Sequence, residues 1–304
     1  MPTPTTASTV QQLYTDIVTD LMPFFSDQVL LPNAPFIMNR FSIAGETGNV
    51  VRVPKLNAFT TGATVSEGTS ILSAAETNVQ PTNVNITMTK KGVAGDVTEE
   101  SLEDGGLAVV RNALLTQLSV GLAEATDIEG FVTLRGASGN TTVQQDGNAN
   151  VTGAGSSVAF VVSPMALGYA EKRAPTVKMW FDPDLDTHQF RATVRNGFNT
   201  IYPTFVRKLN GSSTIGSSAL TLANFAKSVS NLRAVNAPVG QDGLYVAFVG
   251  PATEYAIASQ LNSVTTAAIG NLSDIGNRSL LTGLIGQAAG MSWYRSNNLP
   301  VGNT

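Results

Sequence analysis

The stretch NITMTKKGVAGDVTEE, residues 85–100, holds the sharpest change of pattern in the chain. In its first part Ile86 and Met88 alternate with polar residues, as in a strand with one buried face. In its last part Asp96 can cap a helix whose first turn holds the two glutamates that close the stretch. The stretch therefore predicts a strand that leads directly into a helix beginning at Asp96.

A second strand pattern lies upstream, beyond a polar segment. Val51 and Val53 alternate with polar residues, and residues 60–77 are rich in Gly, Thr and Ser. Two such segments joined by a long polar connection predict an extended β-hairpin over 49–95 with a mobile tip. A lone hairpin buries too little apolar surface to be stable, so we expect it to lie on another surface.

Downstream, apolar residues with helical spacing predict a long helix; they are Leu102, Leu107, Val110, Leu114, Leu118, Leu122 and Ala125. If the helix reaches Phe131 it spans about 40 Å, which is longer than most globular helices. Gly105 and Gly106 can bend the helix or delay its start, because each costs about 1 kcal/mol relative to Ala.

Both flanks of this central part have their own patterns. Two prolines in residues 1–7 predict an extended arm, and an amphipathic helix follows until Pro32 and Pro35 end the pattern. Residues 135–157 have the low complexity of a linker. Either neighbouring subunits or packing on its own subunit would hold this linker in place.

The second half mixes strands and helices without a βαβ repeat or a solenoid period, which predicts an α+β fold. The predicted strands are 158–162, 177–181, 190–194, 244–249 and 291–295. The predicted helical segments are a short turn at 166–170 and helices at 219–235 and 252–261.

The composition limits the function classes. Charged residues make up 13% of the chain, about half of the usual share, and the net charge is −4. Such a surface suits either packing against copies of itself or an ordinary soluble protein. No run of Lys or Arg is present, which argues against direct DNA recognition. The absence of Cys excludes disulfides and thiolate metal sites.

The sequence also shows no membrane span and no signal peptide. No apolar run reaches the roughly 18–20 residues that cross a bilayer. Residues 1–6 lack the basic and apolar regions of a signal peptide. We expect a protein that is made and kept inside a cell until lysis, with no membrane partner.

The sequence gives only weak signs of a catalytic or metal-binding site. A hydrolase triad would depend on the single histidine, His188, but no Gly-x-Ser-x-Gly elbow is present. Its surroundings, DPDLDTH (182–188), resemble half of a calcium loop, yet Thr187 and Thr193 replace the turn Gly and the bidentate Glu. We therefore predict an acidic turn between two strands.

Two further motifs have ordinary explanations. The glycines of 283–290 do not form a phosphate loop and match a dinucleotide pattern only weakly, so we attribute them to close backbone packing. The Lys90–Lys91 pair indicates either a solvated face or contact with an acidic surface of an adjacent subunit. We predict no catalytic, cofactor-binding or metal residues, no cofactor and no enzyme activity.

A polar-tipped hairpin that runs into a long helix resembles the E-loop and spine helix of tailed-bacteriophage major capsid proteins, the Hong Kong 97-type fold. Residues 85–100 are similar to the hairpin-to-helix junction of that family. Residues 285–300, IGQAAGMSWYRSNNLP, and the strand, proline and helix of 245–255 are similar to its A-domain. Together the similar segments cover roughly half of the chain.

The resemblance implies an α+β capsid subunit with an N-terminal arm, an E-loop, a spine helix, a P-domain sheet and an A-domain. The implied divisions are arm and helix (1–48), E-loop (49–96), spine helix (97–134), linker plus A- and P-domain strands (135–210) and A-domain (211–304). It also implies hexamers and pentamers in an icosahedral shell around double-stranded DNA, with portal, scaffold or decoration proteins as further partners. The location would be the virion, assembled in the host bacterial cytoplasm.

The order of segments departs from the family. The family continues beyond Ser-Asn-Asn-Leu-Pro and returns to the P-domain, whereas here the segment of that kind, 163–207, comes earlier. We therefore expect a permuted C-terminal half, with Thr304 near 141–157 and Leu134 near Gly211. The alternatives are another phage structural protein, such as a tail tube or decoration protein, and more distantly a hydrolase.

Overall fold

The computed structural model describes residues 21, 25, 30–32, 37, 39–45, 47–55, 67, 82–98, 100–101, 107–137, 141–144, 156–212, 220–264 and 287–299. The helices are α1 (Leu107–Arg135), α2 (Leu222–Ala234) and α3 (Pro251–Val264). The strands are β1 (Asn39–Ser42), β2 (Val50–Lys55), β3 (Thr82–Thr87), β4 (Thr89–Thr98), β5 (Thr141–Gln144), β6 (Ser156–Val162), β7 (Leu167–Asp182), β8 (Thr187–Thr200), β9 (Val206–Ser212), β10 (Tyr245–Val249), β11 (Gln287–Ala288) and β12 (Met291–Arg295). The predicted α+β class is confirmed.

The first sheet is built around the long hairpin of β7 and β8. Its order is β1-β7-β8-β4, with β1 parallel to β7 and the other pairs antiparallel. The predicted strands 177–181 and 190–194 are parts of these two longer strands. The predicted helical turn at 166–170 is wrong, because Leu167–Ala170 pairs with the end of β8. Cross-strand pairing there overrides the helical tendency of small residues.

The helix start predicted at Asp96 is also wrong. Asp96 lies in β4, where residues 89–98 each have a partner on β8. Val93 and Val97 point from this strand into the apolar cluster beneath α1, so the strand is fixed by burial as well as by pairing. The Oγ1 of Thr98 accepts a hydrogen bond from the Ser101 amide at 3.2 Å, as an N-cap residue does. The helix cap therefore lies at Thr98, two residues after the predicted cap at Asp96.

Helix α1 covers the inner face of this sheet. It has 29 residues, about 43 Å, and extends to Arg135, slightly beyond the predicted end. Its buried apolar residues recur at three- and four-residue spacing; they are Leu114, Leu115, Leu118, Leu122, Ala123, Phe131 and Leu134. Burying one leucine contributes about 1.5–3 kcal/mol, so this stripe fixes α1 on the sheet.

The second sheet has the order β11-β12-β10-β6-β9-β5. Helix α2 packs on it through Phe225, Val229 and Leu232, which lie in one cluster with Tyr245 and Trp293. The predicted helices at 219–235 and 252–261 and the strands at 158–162, 244–249 and 291–295 are confirmed in existence. Inside the predicted linker, β5 pairs in parallel with β9, so its own subunit holds this part.

The predicted hairpin is confirmed at its base. β2 and β3 pair antiparallel from Val50–Thr87 to Lys55–Thr82. Val53 and Ile86 are buried against Ala170 and Ile201, which supply the surface that a lone hairpin lacks. Apart from exposed Glu67, the predicted tip lies outside the described residues, as do the N-terminal arm and most of the helix after it. Leu21 and Phe25 of that helix are helical and buried against the α1 cluster.

The connection from β3 to β4 passes directly over β8. A Cβ placed on Gly197 would overlap the carbonyl oxygen of Thr87 and come within 3.1 Å of the Met88 Cα. Both contacts involve backbone atoms, which cannot rotate away. Only glycine therefore lets the hairpin base lie on β8.

Replacing Gly197 by Ala should unfold the subunit or force the hairpin off β8. We expect loss of soluble protein or a large fall in thermal stability, measured by circular dichroism. Gly95→Ala is the matched control, because its Cβ would meet only Leu114 at an ordinary 3.6 Å. Equal stability of the two variants would contradict the close approach at Gly197.

Candidate assembly surfaces

A buried carboxylate joins three parts of the chain. Asp127 on α1 accepts hydrogen bonds from the amides of Leu30 (3.0 Å) and Leu31 (3.0 Å) and from the side chain of Asn298. Burial raises the pKa of Asp127 to about 6, although these three donors lower it. Asp127 thus fastens the segment before β1 and the segment after β12 to the middle of α1.

The Ser-Asn-Asn-Leu-Pro segment is therefore anchored at two points. Asn298 contacts Asp127, and Leu299 is buried in a cluster with Phe131 and Phe248. The rings of Phe131 and Phe248 meet edge to face at 5.4 Å and connect α1 to β10 of the second sheet. An open cavity of about 440 Å³ lies beside Asp127, lined also by Glu124 and Arg295.

The Lys90–Lys91 pair divides between the two faces of β4. Lys91 points toward α1, where its ammonium contacts Glu129 and Asn196. Burial lowers the pKa of Lys91, whereas Glu129 raises it. Lys91 is therefore half-buried and engaged within its own chain, whereas the alternative of contact with an adjacent subunit stays a prediction. Lys90 is exposed on the opposite face.

The acidic segment around His188 forms the turn between β7 and β8, as predicted. Asp182 accepts hydrogen bonds from the Asp184 amide (3.1 Å) and the Gln189 side chain (3.4 Å). The His188 ring lies 4.9 Å from the ring of Phe181. Across the described ranges, no three Asp, Glu or His side chains are grouped closely enough to hold a metal ion.

The end of the glycine motif also has a backbone explanation. Ala289 and Gly290 both have positive φ, 54° and 78°, and form the two-residue turn between β11 and β12. Gly283 and Gly286 lie outside the described residues.

Sequence reasoning missed a basic surface on the outer face of the first sheet. It consists of Lys90 on β4, Arg173 and Lys178 on β7, and Arg191 and Arg195 on β8. These residues are far apart in sequence, so no basic run marks them. They could have been found from the sequence by their alternation with the inward-facing apolar residues of β7 and β8.

Two solved structures of a bacteriophage capsid are similar to this chain over most of its length. The capsid of bacteriophage JBD30 decorated with minor capsid protein trimers gives a TM-score of 0.53 at 13% identity, covering 91% of this chain and 94% of that one. The bacteriophage JBD30 capsid gives 0.52 at 12% identity, covering 90% and 94%. The chain has the Hong Kong 97-type capsid fold.

This fold confirms the resemblance drawn from the hairpin-to-helix junction. No protein-family model matches the chain, and no curated protein is similar to it in sequence. Among the described residues, no helix has the length and apolar character needed to cross a membrane.

The permuted order of this capsid fold stays a prediction, because Thr304 lies outside the described residues. At the other predicted junction, burial and the nearby Arg135 lower the pKa of Lys208. Leu134 at the end of α1 lies in one buried cluster with Val206 of β9, the strand that also contains Gly211.

Asp127 should make the stability of the subunit depend on pH. Its pKa in the folded state, about 6, lies above its ordinary value of 3.8, so the folded state binds the proton more tightly. This contribution is fully present below about pH 4 and is lost as the pH rises through about 6. In urea unfolding of unassembled subunits, the stability of wild type relative to Asp127→Asn should fall by about 1–3 kcal/mol between pH 4 and 7.

Two variants in the segment after β12 test whether Asp127 causes this pH dependence. Asn298→Ala removes a donor that lowers the pKa of Asp127, so the transition should move to higher pH. Asn297→Ala should leave it in place, because the described residues show no contact between Asn297 and Asp127. A pH dependence that is identical in wild type and Asp127→Asn would contradict the assignment.

Proposed function

We propose that this chain is the major capsid protein of a tailed bacteriophage, a subunit that assembles as hexamers and pentamers into an icosahedral shell around genomic DNA. The observation that carries the proposal is the fold, which matches subunits of an assembled phage capsid over nine-tenths of both chains. The protein acts by packing against copies of itself and is not an enzyme.

The parts of the subunit have separate roles in this proposal. Residues 1–48 form the arm and its helix, 49–96 the E-loop and 97–134 the region of the spine helix. Residues 135–210 supply a linker and strands of both sheets, and 211–304 complete the A-domain. The strand order supports this division, since β5 and β6 lie in the second sheet, β7 and β8 in the first, and β9 again in the second.

The partners follow from the shell. Copies of the chain are the main partner, and portal, scaffold or decoration proteins are further ones. Packaged double-stranded DNA makes non-specific contacts, which a net charge of −4 keeps weak. The protein resides in the virion and assembles in the host bacterial cytoplasm.

The rival functions have less support. A tail tube or decoration protein fits the neutral composition, but a 29-residue helix packed under a sheet is not expected of a mainly β tube subunit. A hydrolase would need His188 in a triad, yet His188 lies beside the exposed acidic turn of β7 and β8.

Electron microscopy of the purified protein tests the proposal. We expect closed, roughly spherical shells with hexameric and pentameric capsomers once assembly conditions are found. Monomers alone, or straight tubes under every condition, would overturn it. Loss of a measurable substrate turnover in His188→Ala would instead favour the hydrolase.

In this proposal the hairpin lies across a neighbouring subunit, and shortening it separates that role in assembly from its role in folding. Lys55 and Thr82 are the last paired residues of β2 and β3, and the Thr82 hydroxyl donates to the Lys55 carbonyl at 3.2 Å. An Asn-Gly turn can therefore replace residues 56–81 without disturbing the base. We expect unchanged thermal stability of the subunit and no closed shells, scored by negative-stain microscopy. Normal shells from this variant would show that the hairpin does not bind a neighbour.

A further inference from the structure

The five cations of the outer face lie in two rows across neighbouring strands. Lys90, Arg195 and Arg173 are register partners on β4, β8 and β7, and Arg191 is the partner of Lys178 four residues away along β8. Adjacent strands are about 4.8 Å apart, so each row holds its charges within about 5–10 Å. We call these five residues the basic face.

Like charges placed opposite each other destabilise a sheet unless something neutralises them. Lys90, Arg173, Lys178 and Arg191 are exposed, and Arg195 is half-buried. Within the part of the chain that the structure describes, no carboxylate lies within ion-pair distance of any of the five. The basic face therefore lacks a counter-charge among these residues.

The hairpin of β7 and β8 has negative charge at its turn. The turn between β7 and β8 holds Asp182, Asp184 and Asp186, and we call it the acidic tip. Large apolar side chains around the tip are exposed as well: Trp180 by 41%, Phe181 by 46% and Leu185 by 65%. Exposed aromatic and aliphatic residues gathered at one point are typical of a protein–protein contact.

The acidic tip does not neutralise its own basic face. Asp182 and Lys178 are four strand residues apart, about 13 Å, and Asp182 and Arg173 about 30 Å. Charges on a protein surface are largely screened beyond about 8 Å at physiological ionic strength. A second molecule can supply this counter-charge.

We infer that the acidic tip of one copy binds the basic face of another. The two surfaces are complementary in charge, and both are exposed on the single subunit. Because different surfaces meet, the contact is head-to-tail, so each copy uses its tip on one neighbour and its face on the next. The inference adds a specific interface to the proposed shell and rests on that proposed function.

Charge reversal tests the contact. The face variant is Lys178→Glu with Arg191→Glu, and the tip variant is Asp184→Lys with Asp186→Asn, since Asn tolerates the positive φ of 50° at position 186. We expect each variant to form about tenfold fewer shells than wild type at 0.15 M salt, measured by sedimentation and microscopy. Combining both changes in one chain should restore part of the assembly, because the lysine introduced in the tip then meets the glutamates introduced in the face.

Lys227→Glu with Arg233→Glu is the matched control, with the same change of net charge at exposed positions of α2. It should assemble as wild type does. Circular dichroism checks that each variant is folded. If the face variant with two glutamates is unfolded, Lys178→Gln with Arg191→Gln takes its place.

Three results would overturn the inference: a face variant that assembles like the control, a combined variant that stays defective, and normal shells that have lost only duplex DNA. The last result would make nucleic acid the ligand of the basic face. If wild type itself forms no shells, the proposed function fails, which is distinct from a failure confined to the variants.

Discussion

The packing of α1 on the inner face of the first sheet is the constraint on which the other parts depend. Its leucine stripe is buried against β4, β7 and β8, and no part of that stripe could stay in water without losing several kcal/mol. Asp127 lies on the same helix and binds the segments at both ends of the described chain. One helix therefore orders the sheet, the segment before β1 and the segment after β12 at once.

The hairpin and the second sheet are attached to this unit by different means. Backbone proximity fixes the hairpin, since the passage over Gly197 leaves no room for a side chain. Aromatic packing fixes the second sheet, through Phe131 of α1 against Phe248. Because both attachments are buried and specific, they hold the hairpin base and the second sheet firmly on the first sheet and its helix.

The two faces of the first sheet have contrasting electrostatics. On the inner face, Lys91 meets Glu129 within the subunit, so that buried charge is already compensated. On the outer face, the five cations have no ion-pair partner among the described residues, and the acidic tip lies too far along the hairpin to neutralise them. A neutral composition therefore conceals a strongly polarised hairpin.

Local periodicity by itself determined the hairpin, the long helix, α2, and strands β10 and β12, because each carries its own apolar spacing. It also determined the acidic turn, since Pro and Asp act on their immediate neighbours. Only the tertiary structure decided that Asp96 belongs to a strand, that Lys91 is internal and that five separated cations share a face. Those features depend on which strands become neighbours, and strand pairing is decided by long-range burial that short-range spacing does not encode.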